Sequence, residues 1–280
     1  MLRFFRRRDK SNIESTVVKT NSFDSSNADI LLNDIRDEFG LDYTKQRDIT
    51  LKKVERFALK NSIYSFIELE KKLKTDSHLK QSFINLLTVG ETYFYRESAH
   101  FDLLCDTVND NRDFRVLCAP SSSGEEAYSI GIYLKEHCKG SQDVKIVGID
   151  INSESIKKAK DGVYTKRSLS YLSDNLKIRY FEQVGNKYRI SNEIKALTDF
   201  RVQNIFDSSL FTYGKFDIIF CRNMLIYFNE QKKRETLDIL RKLLKRDGKL
   251  FLGHADIAFI PEGYKKVSKN RGNYFVRDEM

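Results

Sequence analysis

Proline is nearly missing from this chain, with two in 280 residues. That excludes collagen-like and proline-rich classes. No apolar run approaches the roughly 18 residues that a membrane-spanning helix needs. The longest, around Phe216 to Phe220, is interrupted by Asp217 and Arg222. The opening MLRFFRRRDK is basic but lacks the apolar stretch of a secretory signal. Cysteine is sparse: Cys105, Cys118, Cys138 and Cys221 are scattered, three of them inside apolar patterns, with no CxxC and no zinc spacing. Such usage belongs to a reducing compartment, and the expectation is a cytoplasmic protein without a metal site.

Charge, by contrast, is abundant. Lys and Arg number 49 against 40 Asp and Glu, for a formal net charge of +9. A hydrophobic share of 40% and a charged share of 32% suit a soluble globular protein and argue against global disorder. The length allows one large domain, or a main domain with a small one. The positive balance has two readings. It keeps a dispersed surface solvated, or it concentrates on one face that meets an acidic polymer or protein.

Three regions differ in pattern. Residues 1–26 are rich in Ser, Asn, Thr and Lys and read as a disordered basic tail. Residues 27–87 read as helices only: Ile30, Leu31, Ile35 and Phe39 recur at helical spacing after Asn27, with Gly40 as the stop. A second helix over Thr44 to Lys60 carries Arg47, Lys52, Lys53, Arg56 and Lys60. Two more are predicted near Ser65 to Leu73 and His78 to Leu87. From Arg115 onward, β-rich runs (RVLCA, VKIVGID, FDIIFCR, KLFLGHAD) alternate with helical ones, including EQKKRETLDILRKLLKRDG. Alternation of this kind predicts a parallel, doubly wound α/β sheet over 88–280. IRYFEQVGNKYRIS reads as a hairpin around Gly185-Asn186, a small antiparallel β-subdomain at about 178–202. YKKVS and NYFVRD look like a final antiparallel pair.

In such a sheet the ligand lies beyond the carboxyl ends of the strands. Four places qualify: CAPSSSGEE after the first strand, Asp150 at the end of the second, Asn204 after FRVQ, and CRNMLIYF. A turn with Gly124 followed 26 residues later by a carboxylate resembles the dinucleotide layout. SSSG is not GxGxxG, however, and one glycine cannot present the N–H groups that a pyrophosphate needs. A ligand with a ribose and no phosphate, such as S-adenosylmethionine, fits better. The four histidines (His78, His100, His137, His254) are dispersed and form no catalytic or metal cluster.

Read in order, GETYFYRESAHFDLL, SSSGEEAYSI, GIDIN, YFEQ, NIF, FDIIFCRNMLIYF and DGKLFLGHAD resemble the signature of the CheR family, the chemotaxis receptor glutamate methyltransferases. The match covers about residues 30–277. It implies a helical receptor-docking domain at 27–87 and a Rossmann-like methyltransferase domain at 88–280. The implied reaction moves the methyl group of S-adenosylmethionine to glutamate side chains on a receptor's cytoplasmic helices, giving methyl esters and S-adenosylhomocysteine. Carried over by position, the cofactor residues are Gly90, Thr92, Arg96, Glu126, Asp150, Asn204, Ile205, Arg222 and Asn223. Arg96 and Tyr227 lie nearest the reacting methyl group, and Arg47, Lys53 and Arg56 dock the receptor. The resemblance also implies a monomer, cytoplasmic and recruited to membrane receptor arrays, with neither nucleic acid nor membrane insertion.

A target glutamate, with a pKa near 4.3, is already ionised at neutral pH, so transfer needs positioning rather than a general base. The chain departs from the family pattern at Pro120, where small residues are usual, and at Gly90, where Asn is common. Both departures raise the alternative of a non-catalytic member that binds S-adenosylmethionine or a receptor. The short QVGNK turn argues against a tether for a receptor's terminal peptide. A nucleic-acid methyltransferase, suggested by the charge, is disfavoured because CRNMLIYF has no proline.

Overall fold

The computed structural model describes residues 23–88, 90–105, 107–108, 113–138, 144–269 and 272–278. Residues 1–22 of the expected tail lie outside them, but its last four residues belong to the fold. Phe23 sets its ring edge-on to Phe66, with centroids 4.8 Å apart, and the Asp24 N–H donates to the Tyr64 carbonyl at 2.8 Å. Phe23 supplies an apolar side chain where the residues after Phe5 have few.

Helices α1 (Ala28–Phe39), α2 (Arg47–Lys60), α3 (Phe66–Thr75) and α4 (Ser77–Leu87) follow. In α1, Leu31, Ile35 and Phe39 are buried four residues apart. Gly40 ends it at φ 78°, a left-handed conformation that favours glycine. A Cβ there would also fall 2.8 Å from the Phe228 ring. Ser65 starts α3 by accepting the Glu68 N–H at 3.1 Å, and Asp76 starts α4 by accepting that of Leu79 at 2.9 Å.

The α/β region runs β1 (Phe114–Cys118), α5 (Glu125–His137), β2 (Val144–Asp150), α6 (Ser153–Asp161), β3 (Val163–Thr165), α7 (Asp174–Tyr180), β4 (Phe181–Val184), β5 (Lys187–Ile190), α8 (Asn192–Lys195), β6 (Thr198–Val202), β7 (Phe216–Cys221), α9 (Glu230–Leu243), β8 (Leu244–Leu252), β9 (Tyr264–Lys269) and β10 (Gly272–Arg277). The main sheet has the order β6-β2-β1-β7-β8-β10-β9. Its first five strands are parallel, and β10 and β9 are antiparallel. The predicted α/β class and the closing antiparallel pair are both present.

Two boundaries and one covalent link differ from expectation. The small sheet has the order β3-β5-β4, so it recruits Val163–Thr165 from outside 178–202, while Thr198–Val202 pairs with β2 in the main sheet. The last long helix stops at Leu243 rather than running through KRDG. Leu244 is buried opposite Phe216, and the Lys245 ammonium reaches the buried Asp217 carboxylate at 2.7 Å. Finally, Cys105 and Cys138 form a disulfide, with Cα atoms 5.2 Å apart. The scattered spacing of the four cysteines gave no sign of this pair. Cys118 and Cys221 are free and buried. Among the described residues, no helix is long and apolar enough to cross a membrane.

Strand side chains alternate between two cores. Leu117 and Ala119 of the first strand-and-turn join Ile219, Cys221, α9 and all four N-terminal helices. Val116, Cys118, Ile218 and Phe220 face α5, α6 and the small sheet. The N-terminal helices and the sheet therefore share one apolar cluster. Neutral hydrogen bonds also join them. Gln81 donates to the Ile151 carbonyl and Asn85 to the Ser153 hydroxyl, both at 2.9 Å. Asn152 donates to the Thr88 carbonyl at 2.7 Å, and Asn204 to the Glu38 carbonyl at 2.9 Å.

Candidate active site

The chain steps outward from β1 through β2 to β6, then crosses back to β7 beside β1. Strand order therefore reverses between β1 and β7, which is where an open α/β sheet leaves a crevice. A cavity of about 740 Å³ opens there. Its floor is the set of turns after β1, β2, β6 and β7, and Phe39, Tyr43 and Leu87 of the helical layer roof it. Gly90, Thr92, Arg96, Glu126, Asp150, Asn204, Ile205, Arg222, Asn223 and Tyr227 all line it, together with Lys53. Eleven of the predicted positions thus meet in one space, although they span the chain from α2 to the turn after β7.

Their bonding is uneven. Arg222, 5% exposed, pairs through Nε with Oε2 of Glu126. Its other nitrogens donate to the carbonyls of Glu97 at 3.2 Å and Arg96 at 2.9 Å. Its guanidinium therefore fastens the linker to the end of β7. The other oxygen of Glu126, Oε1, is buried without a hydrogen-bond partner among the described residues. Asp150 accepts the N–H of Ser122 at 2.9 Å and that of Asn152 at 2.8 Å. Burial raises its pKa, and those N–H groups oppose the rise. Asn204 spends its amide on the Glu38 carbonyl and the Phe206 N–H. Arg96 donates to the Glu91 carbonyl at 2.7 Å and lies 5.8 Å from the Tyr93 ring centroid. Tyr227 is 48% exposed at the mouth, so it is not the core tyrosine that an aromatic stretch usually holds.

The three basic docking positions do not act as one group. Ile49, Lys53, Arg56 and Lys60 follow i, i+4, i+7 and i+11 spacing and share the outer face of α2. Ile49 is 73% exposed at the cavity's edge. Arg47 turns the other way and forms an ion pair with Asp29 of α1 at 2.9 Å. Neither Arg47 nor Arg56 lines the cavity.

Four further residues shape the site. Ser121 is buried with an unpartnered hydroxyl in the cavity wall. Ser122, at φ 46°, turns its N–H to Asp150. Glu97 sits 3.8 Å from Arg222 and 3.2 Å from His254. Asp256 accepts the Asn223 N–H at 2.7 Å. Ser121, Ser122, Glu97 and Asp256 all fall within the strings SSSGEE, YRES and GHAD. Glu97 meets Arg222 and His254 and Asp256 meets Asn223 across long stretches of chain, so local spacing alone does not mark them.

Two unpartnered buried oxygens and two carboxylates give the wall an acceptor character. This suits a ligand bearing an ammonium and hydroxyl groups and opposes a pyrophosphate. At Gly90 a Cβ would fall 2.9 Å from the Ser122 hydroxyl, so the close approach of linker and turn needs glycine there. The Ala119–Pro120 bond is cis, and Pro120 lines the cavity without filling it. Burial raises the thiol pKa of both Cys118 and Cys221, which suits neither as a nucleophile. Among the described residues, no group of three or more metal-ligating side chains exists.

A family model described as CheR methyltransferase, SAM binding domain, matches residues 90–272. A chemotaxis protein methyltransferase of Campylobacter jejuni is 36% identical over 247 residues, covering 87% of this chain and 93% of that protein. One from Escherichia coli is 36% identical over 182 residues, covering 63% of this chain and 64% of its own. Among solved structures, an O-methyltransferase family protein from Burkholderia thailandensis is similar at a TM-score of 0.39 and 12% identity. That likeness covers 74% of this chain and 61% of the other.

Proposed function

Since this chain belongs to the CheR methyltransferase family and carries its S-adenosylmethionine-binding domain, we propose that it forms methyl esters on glutamate side chains of chemotaxis receptors. The observation that carries this reading is a shared space: Lys53 of the basic α2 face and the half-free Glu126 carboxylate line one cavity. A docking surface for an acidic helix thus opens directly onto an acceptor-lined donor pocket.

When bound, S-adenosylmethionine supplies an electrophilic methyl group on a sulfonium. The chain's own residues bind and orient. Glu126 offers Oε1 to an ammonium while Arg222 holds Oε2 in place. Asp150 fixes the turns after β1 and β2 by accepting two N–H groups, and a carboxylate retains lone pairs for ribose hydroxyls. Gly90, Thr92, Asn204, Ile205 and Asn223 complete the wall. Arg96 steers the incoming carboxylate, and the Tyr227 hydroxyl faces the reacting groups from the mouth. Ile49 and Tyr227 exclude water there once a receptor helix covers them. Lys53 and Arg56 draw that helix in, since complementary charge raises encounter rate and fixes register. Arg47 supports the surface indirectly by bracing α2 on α1.

Incubation with methyl-labelled S-adenosylmethionine and receptor-containing membranes tests the reading. A carboxyl methyl ester releases labelled methanol in alkali. Label that stays on the receptor through alkali treatment overturns it.

A further inference from the structure

Asp256 is fully buried and lies on the loop after β8, not on any strand that builds the cavity floor. Its Oδ2 accepts the N–H of Asn223 and the N–H of Gly253, each at 2.7 Å. Its other oxygen, Oδ1, is buried without a hydrogen-bond partner among the described residues, and burial raises the carboxyl pKa against the N–H groups that favour the charged form. Among the described residues, no cation pairs with it. One carboxylate therefore gathers the start of the turn that follows β7, using backbone dipoles in place of a counter-ion.

That turn carries two of the proposed active-site residues. Asn223 has φ 60°, an uncommon conformation for a residue with a side chain, and its N–H is the one Asp256 captures. Two residues on, the 3-10 turn Leu225–Tyr227 begins, and the Tyr227 N–H closes back on the Met224 carbonyl at 3.1 Å. Glycine at 253 makes the approach possible: a Cβ there would lie 2.6 Å from Asp256 Oδ2 and 2.9 Å from the Asn223 nitrogen.

We infer that Asp256 is a positioning residue of the methyl-transfer site, holding Asn223 against the cofactor and Tyr227 at the mouth by bonding the backbone between β7 and β8. This rests on the roles given above to Asn223 and Tyr227. A carboxylate is acceptor-only, which is what converging N–H groups require. The isosteric amide of Asp256→Asn can keep its carbonyl oxygen on both N–H groups but carries no charge, so the two charge-assisted bonds become weaker neutral ones, and its NH2 replaces a buried oxygen that no acceptor meets among the described residues.

The test uses the full chain, wild type and D256N, with three readouts: affinity for S-adenosylhomocysteine by calorimetry, kcat and receptor KM with labelled donor, and amide proton shifts by NMR. In D256N, affinity and kcat are each expected to fall by about tenfold or more, the loss of charge-assisted hydrogen bonds. Receptor KM should hold, and the Asn223 and Gly253 amides should move upfield. A variant that merely melts at a lower temperature, with affinity and kcat within about twofold of wild type, overturns the inference. Should D256N fail to fold, hydrogen exchange in the wild type decides. Slow exchange at both amides supports the assignment, and exchange as fast as in an open loop removes it. A wild-type chain that does not bind S-adenosylhomocysteine at all instead defeats the cofactor reading, and the inference with it.

Discussion

Glu126 divides its carboxylate, one oxygen held by Arg222 and the other left for a ligand. Glu126→Gln strips the charge from both tasks at nearly constant volume. Affinity for S-adenosylhomocysteine is expected to drop by about 10- to 100-fold, and the melting temperature to fall because buried Arg222 keeps only Glu97, 3.8 Å away, to balance it. Calorimetry and a thermal scan read the two effects. Tyr227→Phe should lower kcat and leave the melting temperature in place, since Tyr227 lines the cavity and is half exposed. Full activity in that variant would remove Tyr227 from the mechanism.

Neighbouring Glu125 gives a pH signature. It is buried, and desolvation raises its pKa from 4.5 to about 7. Between those values the unfolded chain releases this proton and the folded chain keeps it. Stability is therefore lost as pH rises, by up to about 3 kcal/mol. His100, pushed down to about 4 by burial, acts oppositely over pH 4 to 6.5, so the informative quantity is a difference between variants. Glu125→Gln should raise the melting temperature relative to wild type more at pH 8 than at pH 5. A difference that does not change with pH would show that Glu125 titrates normally. At this scale, residue type at a strand's end was legible: Asp150 and Asn204 stood out in sequence because position and chemistry agree. Asp256 and Ser121 did not, because the Asn223 N–H that Asp256 holds is 33 residues away and the Ser121 hydroxyl is marked only by its burial.

Helix α2 is the element whose function depends on a face rather than a residue. Arg56→Glu with Lys60→Glu is expected to raise the apparent KM for receptor several-fold and leave S-adenosylhomocysteine affinity alone. An unchanged KM would make that face a solvated surface only. Arg47→Glu is different in kind: it breaks the pair with Asp29 and so loosens α1 from α2. Periodicity located the helix but could not show that Arg47 points away from Lys53 and Arg56. The disulfide was equally hidden, because Cys105 and Cys138 are 33 residues apart and meet only once α5 packs. Closing a loop of that length is worth about 4 kcal/mol in the chain-entropy view. Cys138→Ser should therefore lower the melting temperature under oxidising conditions and change little in reductant, and a non-reducing peptide map should recover the Cys105–Cys138 pair. The three-residue strand β3 was too short to leave any alternation, whereas the long apolar runs of β1, β2 and β7 were plain.

Across the whole molecule, the cavity lies between two layers that the chain builds far apart in sequence. A ligand filling it touches both, so it stabilises the assembly as a unit. At about 100 times Kd, S-adenosylhomocysteine should add about 2.7 kcal/mol and shift one cooperative melting transition upward by several degrees. Two transitions, only one of them ligand-sensitive, would show that the layers melt independently. The α/β class was readable because strand and helix periods alternate. The sharing of one apolar cluster by the N-terminal helices and the sheet was not, since amphipathic faces do not name their partners.

The bonds that fasten the roof to the sheet join amides to carbonyls and a hydroxyl, from Gln81, Asn85, Asn152 and Asn204. Dissolved ions screen full charges within about 10 Å at 0.1 M and barely affect such neutral contacts. The docking proposed for Lys53 and Arg56 is ionic and enjoys no such immunity. Raising the salt concentration is thus expected to slow the proposed methyl transfer to receptor while affinity for S-adenosylhomocysteine holds.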